Sequence, residues 1–279
     1  MTVKLIASDM DHTLLNESGQ LPPNFEQVVK QLTAKGIIFT AASGRPLYTL
    51  KQMFANLEND MCLVGDNGGV ISYQGEIIFK SLLPLTDYQR MVAFVNESQT
   101  GIGMICGMDA VYIEEQYQAL DATFRQFYAE IKYVPDLTQV SVEADKFTVY
   151  FPEANSRDFY EQIYGPTFGA DYSVAVAGVE WVDIMNKGID KGHAMRFLAN
   201  HFNISTAEMM AFGDTYNDKE MLQTVKYSYL MGNADDDMLQ YATYRADTNE
   251  NYGVLRRLRN CCKRPIINRL LLFNCICFL

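Results

Sequence analysis

The sequence predicts an α/β fold: a doubly wound parallel sheet with a separate α+β unit inserted into it. Three observations predict this. Short apolar, β-favouring runs alternate with helix-period segments towards both ends of the chain, the pattern of strands joined by crossover helices. Between about Leu83 and Asn186 that alternation gives way to clustered strands. With 279 residues, 48% of them hydrophobic, the chain can bury a sizeable core in one or two domains.

The opening VKLIASD reads as a strand ending in acid, and Phe25, Val28, Val29 and Leu32 mark one face of a helix within 22–35. Gly36 closes that helix and IIFTAA is a second buried strand. Leu47, Leu50, Phe54 and Leu57 mark another helix before the strand CLVGD. The middle unit holds a helix over 87–96, paired short strands within 101–114 and a helix over 118–131. The strands KFTVYF, YSVAVA and EWVDIM follow. Alternation resumes with a helix over 190–202, the strand EMMAFGD, a helix after Asn217, the strand YSYLMG, a helix after Asp235 and the short strand TYRAD. The sequence thus divides into a first domain made of 1–83 and 187–255, an insertion over 84–186, and a tail over 256–279.

Net charge is −11, which disfavours nonspecific contact with nucleic acid or anionic lipid. Residues 251–279 carry six bases and no acid, leaving 17 bases against 34 acids on residues 1–250. No run reaches the ~20 apolar residues of a membrane span, and Met1–Asp9 lacks the pattern of a secretory signal, so a soluble cytoplasmic protein is expected. Four of the six cysteines (Cys261, Cys262, Cys275 and Cys277) lie in the tail. They form neither a disulfide framework nor well-spaced zinc pairs.

Asp9 and Asp11 stand where the first strand ends, and open α/β sheets bind ligands outside the carboxyl ends of their strands. A lone D-x-D is also an ordinary turn or helix cap. A second acidic cluster, Asp214 and Asp218 in GDTYND, follows another apolar run. Asp214 and Asp218 share a direction if a helix starts there. Converging carboxylates repel unless neutralised, and oxygen ligands favour a hard divalent cation, magnesium. Ser43, Gly44 and Arg45 end the second strand and Lys191 opens the helix after the insertion. Taken singly these are a turn and a surface lysine; together they suit a phosphate.

In order, DMDHTLL (9–15, read from Asp9), ASGRP (42–46), GIDKG (188–192) and GDTYND (213–218), with VGDNGGVI (64–71) and MGNA (231–234), form a pattern. On these motifs the chain resembles the Cof-type phosphatases of the haloacid dehalogenase superfamily, those with a large cap inserted into a Rossmann-like core. The resemblance extends over about residues 3–255. It implies that Asp9 attacks phosphorus and Asp11 serves as general acid and base. It further implies that Ser43 binds a phosphoryl oxygen and Lys191 neutralises phosphate and restrains Asp9. Magnesium is then held by Asp9, the Asp11 carbonyl and Asp214, with Asp218 behind them, and Asn67 and Asn217 contact phosphate or substrate. Arg45 is a further candidate contact.

The implied activity is hydrolysis of small phosphomonoesters, sugar phosphates or phosphorylated cofactors, beneath a closing cap. A sugar phosphomutase or phosphotransferase shares the aspartyl-phosphate, and a phosphometabolite-binding regulator shares the fold. The aligned Asp9 and Asp11 disfavour the regulator. Two features depart from the pattern: His12 where glycine is usual, and the tail beyond Val254, to which no function is assigned.

Overall fold

Apolar runs bounded by turn residues become sheet centres because burial is the only favourable place for them. In the computed structural model, which describes residues 3–263, β1 (Leu5–Ser8) is buried at every position. Ile6 faces the layer containing Phe25, Val29 and Leu32. Leu5 and Ala7 face the opposite layer, with Met195 and Leu198, as a strand's period of two requires. α1 (Phe25–Thr33), β2 (Ile38–Ala42), α2 (Leu47–Met53) and β3 (Met61–Gly65) continue the alternation, and β1, β2 and β3 pair in parallel.

The next two strands depart from the expected alternation. β4 (Val70–Tyr73) and β5 (Glu76–Lys80) return antiparallel. Their turn residues, Gln74 and Gly75, both have positive φ (51° and 83°), the conformation of the tight hairpin turn. Gln-Gly carries that signal less plainly than Asn-Gly, so the sequence pattern does not predict the hairpin.

α3 (Leu85–Ser98) leads into a second sheet. Its strands are β6 (Ile102–Gly107), β7 (Val111–Glu114), β8 (Ile131–Val134), β9 (Ala144–Tyr150), β10 (Tyr172–Val176) and β11 (Trp181–Asn186). The order is β10-β11-β9-β6-β7-β8. The helix expected over 118–131 is shorter: a 3-10 segment leads into α4 (Asp121–Phe124), and Ile131 begins β8. Only Phe124 of α4 is buried, too small an apolar face to extend the helix. A second helical stretch was missed, running from α5 (Ser156–Phe159) through a π turn to α6 (Gly165–Phe168). Gly165-Pro166 reads as a breaker, yet Pro166 follows directly on the π turn, where the ordinary helical hydrogen-bond pattern is already interrupted.

α7 (Lys191–His201), β12 (Met209–Gly213), α8 (Lys219–Thr224), β13 (Tyr227–Leu230) and β14 (Tyr244–Arg245) complete the larger sheet. The segment after Asp235 is 3-10 rather than α-helical. The eight strands run β14-β13-β12-β1-β2-β3-β4-β5. The chain builds outward from β1 on one side and later on the other, so a crevice opens at the carboxyl ends of β1, β2 and β12. This is an α/β Rossmann-like core with a cap.

α9 (Gly253–Lys263) carries residues 256–263 of the tail against the core. Val254, Leu255 and Leu258 are buried, Cys261 and Cys262 pack against the same core, and the Lys35 ammonium donates to the Cys262 carbonyl. Cys275, Cys277 and the apolar run LLLFNCICFL lie outside the described residues. Among the described residues no helix is long and apolar enough to cross a membrane. If α9 is integral, Leu258→Ala should lower unfolding free energy by about 2–5 kcal/mol in a urea melt. An unchanged midpoint and slope would mean that α9 adds nothing to the core.

Candidate active site

β1 delivers Asp9 to the crevice. The Asp9 N–H donates to the Phe212 carbonyl at 3.0 Å, so the sheet ladder runs to the first catalytic candidate. The next turns leave α geometry: Asp11 is extended and His12 is left-handed at φ 56°. Glycine enters that region without penalty, which accounts for its usual presence there. His12 adopts the turn and sends its ring outward, with 59% side-chain exposure and a 3.3 Å contact to Glu17.

Three buried carboxylates converge beneath. Asp9, Asp214 and Asp218 each bring an oxygen within 4.8 Å of the others. The fully buried Lys191 ammonium donates to Asp9 Oδ1 at 2.5 Å and to Asp218 Oδ1 at 2.7 Å. The second Asp218 oxygen accepts the N–H groups of Asp214 (2.9 Å) and Thr215 (3.3 Å), leaving it in a supporting position. Thr13, which the sequence analysis did not single out, donates to Asp214 Oδ1 at 2.7 Å. Asp190 places Lys191 by capping α7, its carboxylate accepting the His193 N–H.

Burial, then repulsion from Asp218, raises the Asp9 carboxyl well above its ordinary range, against the pull of Lys191. The same two causes push Asp214 up to about 7, opposed by Thr13 and Lys191. One ammonium thus leaves the acidic cluster short of positive charge. The donor set is hard oxygen, buried and preassembled, and fits a divalent cation. The Asp11 side chain lies apart from this cluster. Its carboxylate accepts from Arg45 Nε at 2.9 Å and Nη2 at 2.7 Å, a two-pronged pair.

On the phosphate-compatible side, Ser43 Oγ accepts the Arg45 N–H at 3.0 Å, and Gly44 lies against the Asn67 amide. Asp66 and Asn67 are both left-handed (φ 50° and 54°), a strained pair of the kind functional loops retain. Asn67 donates to Asp183 at 2.6 Å, and Asn217 donates to Asn67 at 3.0 Å. Most of the sequence-nominated residues border one crevice, with Lys191 and Asp218 fully buried beneath it and Asn67 reaching it through Asp183 and Asn217. A cavity of about 240 Å³ joins Asp9, Asp11, Ser43, Gly44, Arg45, Asp214 and Asn217 to a cap wall containing Phe127, Tyr128, Trp181, Lys146 and Asp183. A larger cleft of about 720 Å³ lies beyond Asn67 and Asn217 but includes none of the candidate catalytic carboxylates.

Sequence reasoning missed Lys146, Asp183, Phe127 and Tyr128 as wall residues. A lone charge inside an apolar strand, as in KFTVYF and WVDIM, was the available signal for the first two. Trp181 serves the cap's packing and the wall together: it packs on Phe127 and Tyr150 and lines the cavity.

The chain belongs to the haloacid dehalogenase-like hydrolase family, whose model matches residues 6–258. Among its relatives is the 5-amino-6-(5-phospho-D-ribitylamino)uracil phosphatase YbjI of Escherichia coli K12. The two are 29% identical over 262 residues, covering 91% of this chain and 94% of the relative. The HMP-PP phosphatase of Cronobacter sakazakii is 25% identical over 243 residues, 85% of this chain and 86% of that one. The crystal structure of SMU.1108c from Streptococcus mutans UA159 superposes with a TM-score of 0.87 at 28% identity, covering 93% of this chain and 99% of that one. The protein is accordingly a phosphoric monoester hydrolase of this family.

The Asp214 shift has a pH consequence. Folded Asp214 keeps its proton to higher pH than an unfolded aspartate, so its stability contribution is full below about pH 4 and is lost as pH rises through about 7. A bound divalent cation offsets that loss, so the rise in Tm on adding cation should be larger at about pH 8 than at about pH 5. Equal shifts at both values, measured by thermal melts, would contradict cation binding at Asp214.

Proposed function

We propose that this chain is a magnesium-dependent phosphatase of small phosphomonoesters, sugar phosphates or phosphorylated cofactors, working through an aspartyl-phosphate on Asp9. The observation that carries the reading is the buried Lys191 ammonium, 2.5 Å from Asp9 within the acidic cluster. It holds the carboxylate in one orientation and offers positive charge to an arriving dianion.

In this reading an Asp9 oxygen bonds to phosphorus as the ester P–O bond breaks, and Asp11 gives a proton to the departing alkoxide. Asp11 then takes a proton from water, whose oxygen attacks phosphorus and releases inorganic phosphate with Asp9 restored. Ser43 and Lys191 hold the phosphoryl oxygens. A phosphate dianion competes for the Arg45 guanidinium, freeing Asp11 from its two-pronged pair for proton transfer. The cation, held by Asp9, Asp214 and the Asp11 carbonyl with Asp218 behind, supplies charge that lets two anions approach. Residues 84–186 act as the cap that excludes water.

The cap wall supports a narrower substrate class. Phe127, Tyr128 and Trp181 form an aromatic surface opposite the carboxylates, and the buried Trp181 Nε1–H has no hydrogen-bond partner. A flat, conjugated leaving group with an acceptor atom suits that surface better than a bare sugar. The Escherichia coli relative acts on a phosphorylated ribitylaminouracil, a compound of this kind.

Phosphate release from a panel of sugar phosphates, pyridoxal phosphate, flavin mononucleotide and nucleotides tests the reading. Asp9→Asn should lower turnover by roughly 10³-fold or more with little loss of stability, and chelator should stop the wild type until magnesium is restored. Normal turnover by Asp9→Asn, or full activity in chelator, would overturn it. Phe127→Ala should raise KM up to about tenfold for ring-bearing esters and leave KM for hexose phosphates nearly unchanged. An equal effect on both would remove the aromatic preference.

A further inference from the structure

Two ionisable residues of the cap, Lys146 in β9 and Asp183 in β11, are buried to 1% and 2% exposure. Their strands explain where they point. Phe147 and Val149, with Val182 and Ile184, enter the cap's own core, so the period of two turns Lys146, Thr148 and Asp183 to the opposite face. Asp183 pairs in register with Thr148, and that face meets the catalytic loops.

The bonds these residues make cross the seam between cap and core. Lys146 Nζ donates to the Gly44 carbonyl at 2.6 Å and lies 3.2 Å from Asp66. The Asn67 amide donates to Asp183 Oδ2 at 2.6 Å. Within the cap, Thr148 donates to Asp183 Oδ1 at 2.6 Å, while Lys146 and Asp183 stand 3.3 Å apart. The pair thus holds the core more closely than its members hold each other. An added Cβ at Gly44 would come within 3.6 Å of Asp183 and 3.4 Å of Asn67, so the phosphate-side loop, Asn67 and Asp183 meet at one point. Through Asn67 the connection reaches Asn217 in the acidic loop.

Stability alone does not explain such a pair, because apolar residues of similar volume commonly hold a fold as well or better than a buried ion pair. Lifting the cap breaks the Lys146–Gly44 and Asp183–Asn67 bonds together. We infer that Asp183 and Lys146 are positioning residues, a clasp by which the seated cap fixes the Ser43–Arg45 loop and the strained Asp66–Asn67 turn in their working geometry. The inference rests on the proposed function for the role of the Ser43–Arg45 loop. It adds that the geometry of this loop is set from the cap side.

The test uses the full chain with Lys146→Met, Asp183→Asn and Thr148→Val, read by kinetics and by amide hydrogen exchange. Lys146→Met and Asp183→Asn should lower kcat by roughly 10–100-fold while changing KM less, since small misplacements of groups that orient a reaction cost rate on this scale. The amides of Asp66 and Asn67, which bond to the carbonyls of Arg45 and Ser43, should exchange faster, while β6 and β9 keep their protection. Thr148→Val, which removes only one of the bonds that aim Asp183, should shift both readouts in the same direction by a smaller amount. It decides the matter if the charge variants do not fold.

Unchanged kcat in folded Lys146→Met and Asp183→Asn would overturn the clasp. So would a loss accompanied by loosened β9 and β11 with undisturbed exchange at Asp66 and Asn67, the signature of a purely structural pair. The exchange measurement needs no turnover. If wild type releases no phosphate from any compound, the proposed function fails, and the clasp is still judged by exchange.

Discussion

The site depends on one contact, the Lys191 ammonium lodged between Asp9 and Asp218. An isolated ammonium with no exposed surface is strongly unfavourable, and so are three carboxylates in one buried pocket. Each makes the other tolerable. Burial alone lowers the Lys191 pKa, but Asp218 and Asp9 reverse the balance and raise it above the ordinary lysine range. The pair still leaves the cluster acidic overall, which is the physical reason it suits a cation and, with it, an anionic substrate. Asp218 has its second oxygen tied to two backbone N–H groups, so it holds Lys191 without competing for phosphate.

The sheet supplies the precision. β1 is central, and the strands on either side place the Ser43 loop and the Asp214 loop at neighbouring carboxyl ends. The cap completes the site from above. Arg45 is bound both to Asp11 and to the Gln126 carbonyl, and its guanidinium sits 5.3 Å from the Phe127 ring centre. The candidate proton donor, the phosphate-side loop and the aromatic wall are therefore linked through polar groups able to exchange partners, as the proposed cap closure requires. Polar contacts across the seam suit that purpose, because water replaces them on opening, whereas an apolar seam would resist separation.

The placement of these candidates was legible in the sequence because four ordered motifs stand at the ends of apolar runs. Asp9, Ser43, Lys191 and Asp214 each stand at the end of a strand or the start of a helix that apolar spacing alone could locate. Thr13 sat within the first motif and went unremarked, since a threonine after D-x-D is equally an ordinary turn residue. Lys146 and Asp183 were harder: a charge in an apolar strand announces an unusual environment but not its partner, and Gly44 is 102 positions from Lys146. The β4–β5 hairpin depended on a turn with weak local preference, and the α5–α6 stretch on a proline placed where a helix tolerates it. The packing of α9 is hard to read from sequence, because basic residues dominate its exposed face while Leu255 and Leu258 carry the contacts with the core.

The central claim is that Asp9 itself becomes phosphorylated. Its most direct test is a reaction quenched in acid during turnover, with the peptide spanning Asp9 analysed by mass spectrometry after borohydride reduction. Asp9 should be converted to homoserine, the product of reducing an acyl phosphate, only when substrate was present. Rapid turnover with Asp9 unmodified, or with the label on a different residue, would contradict it.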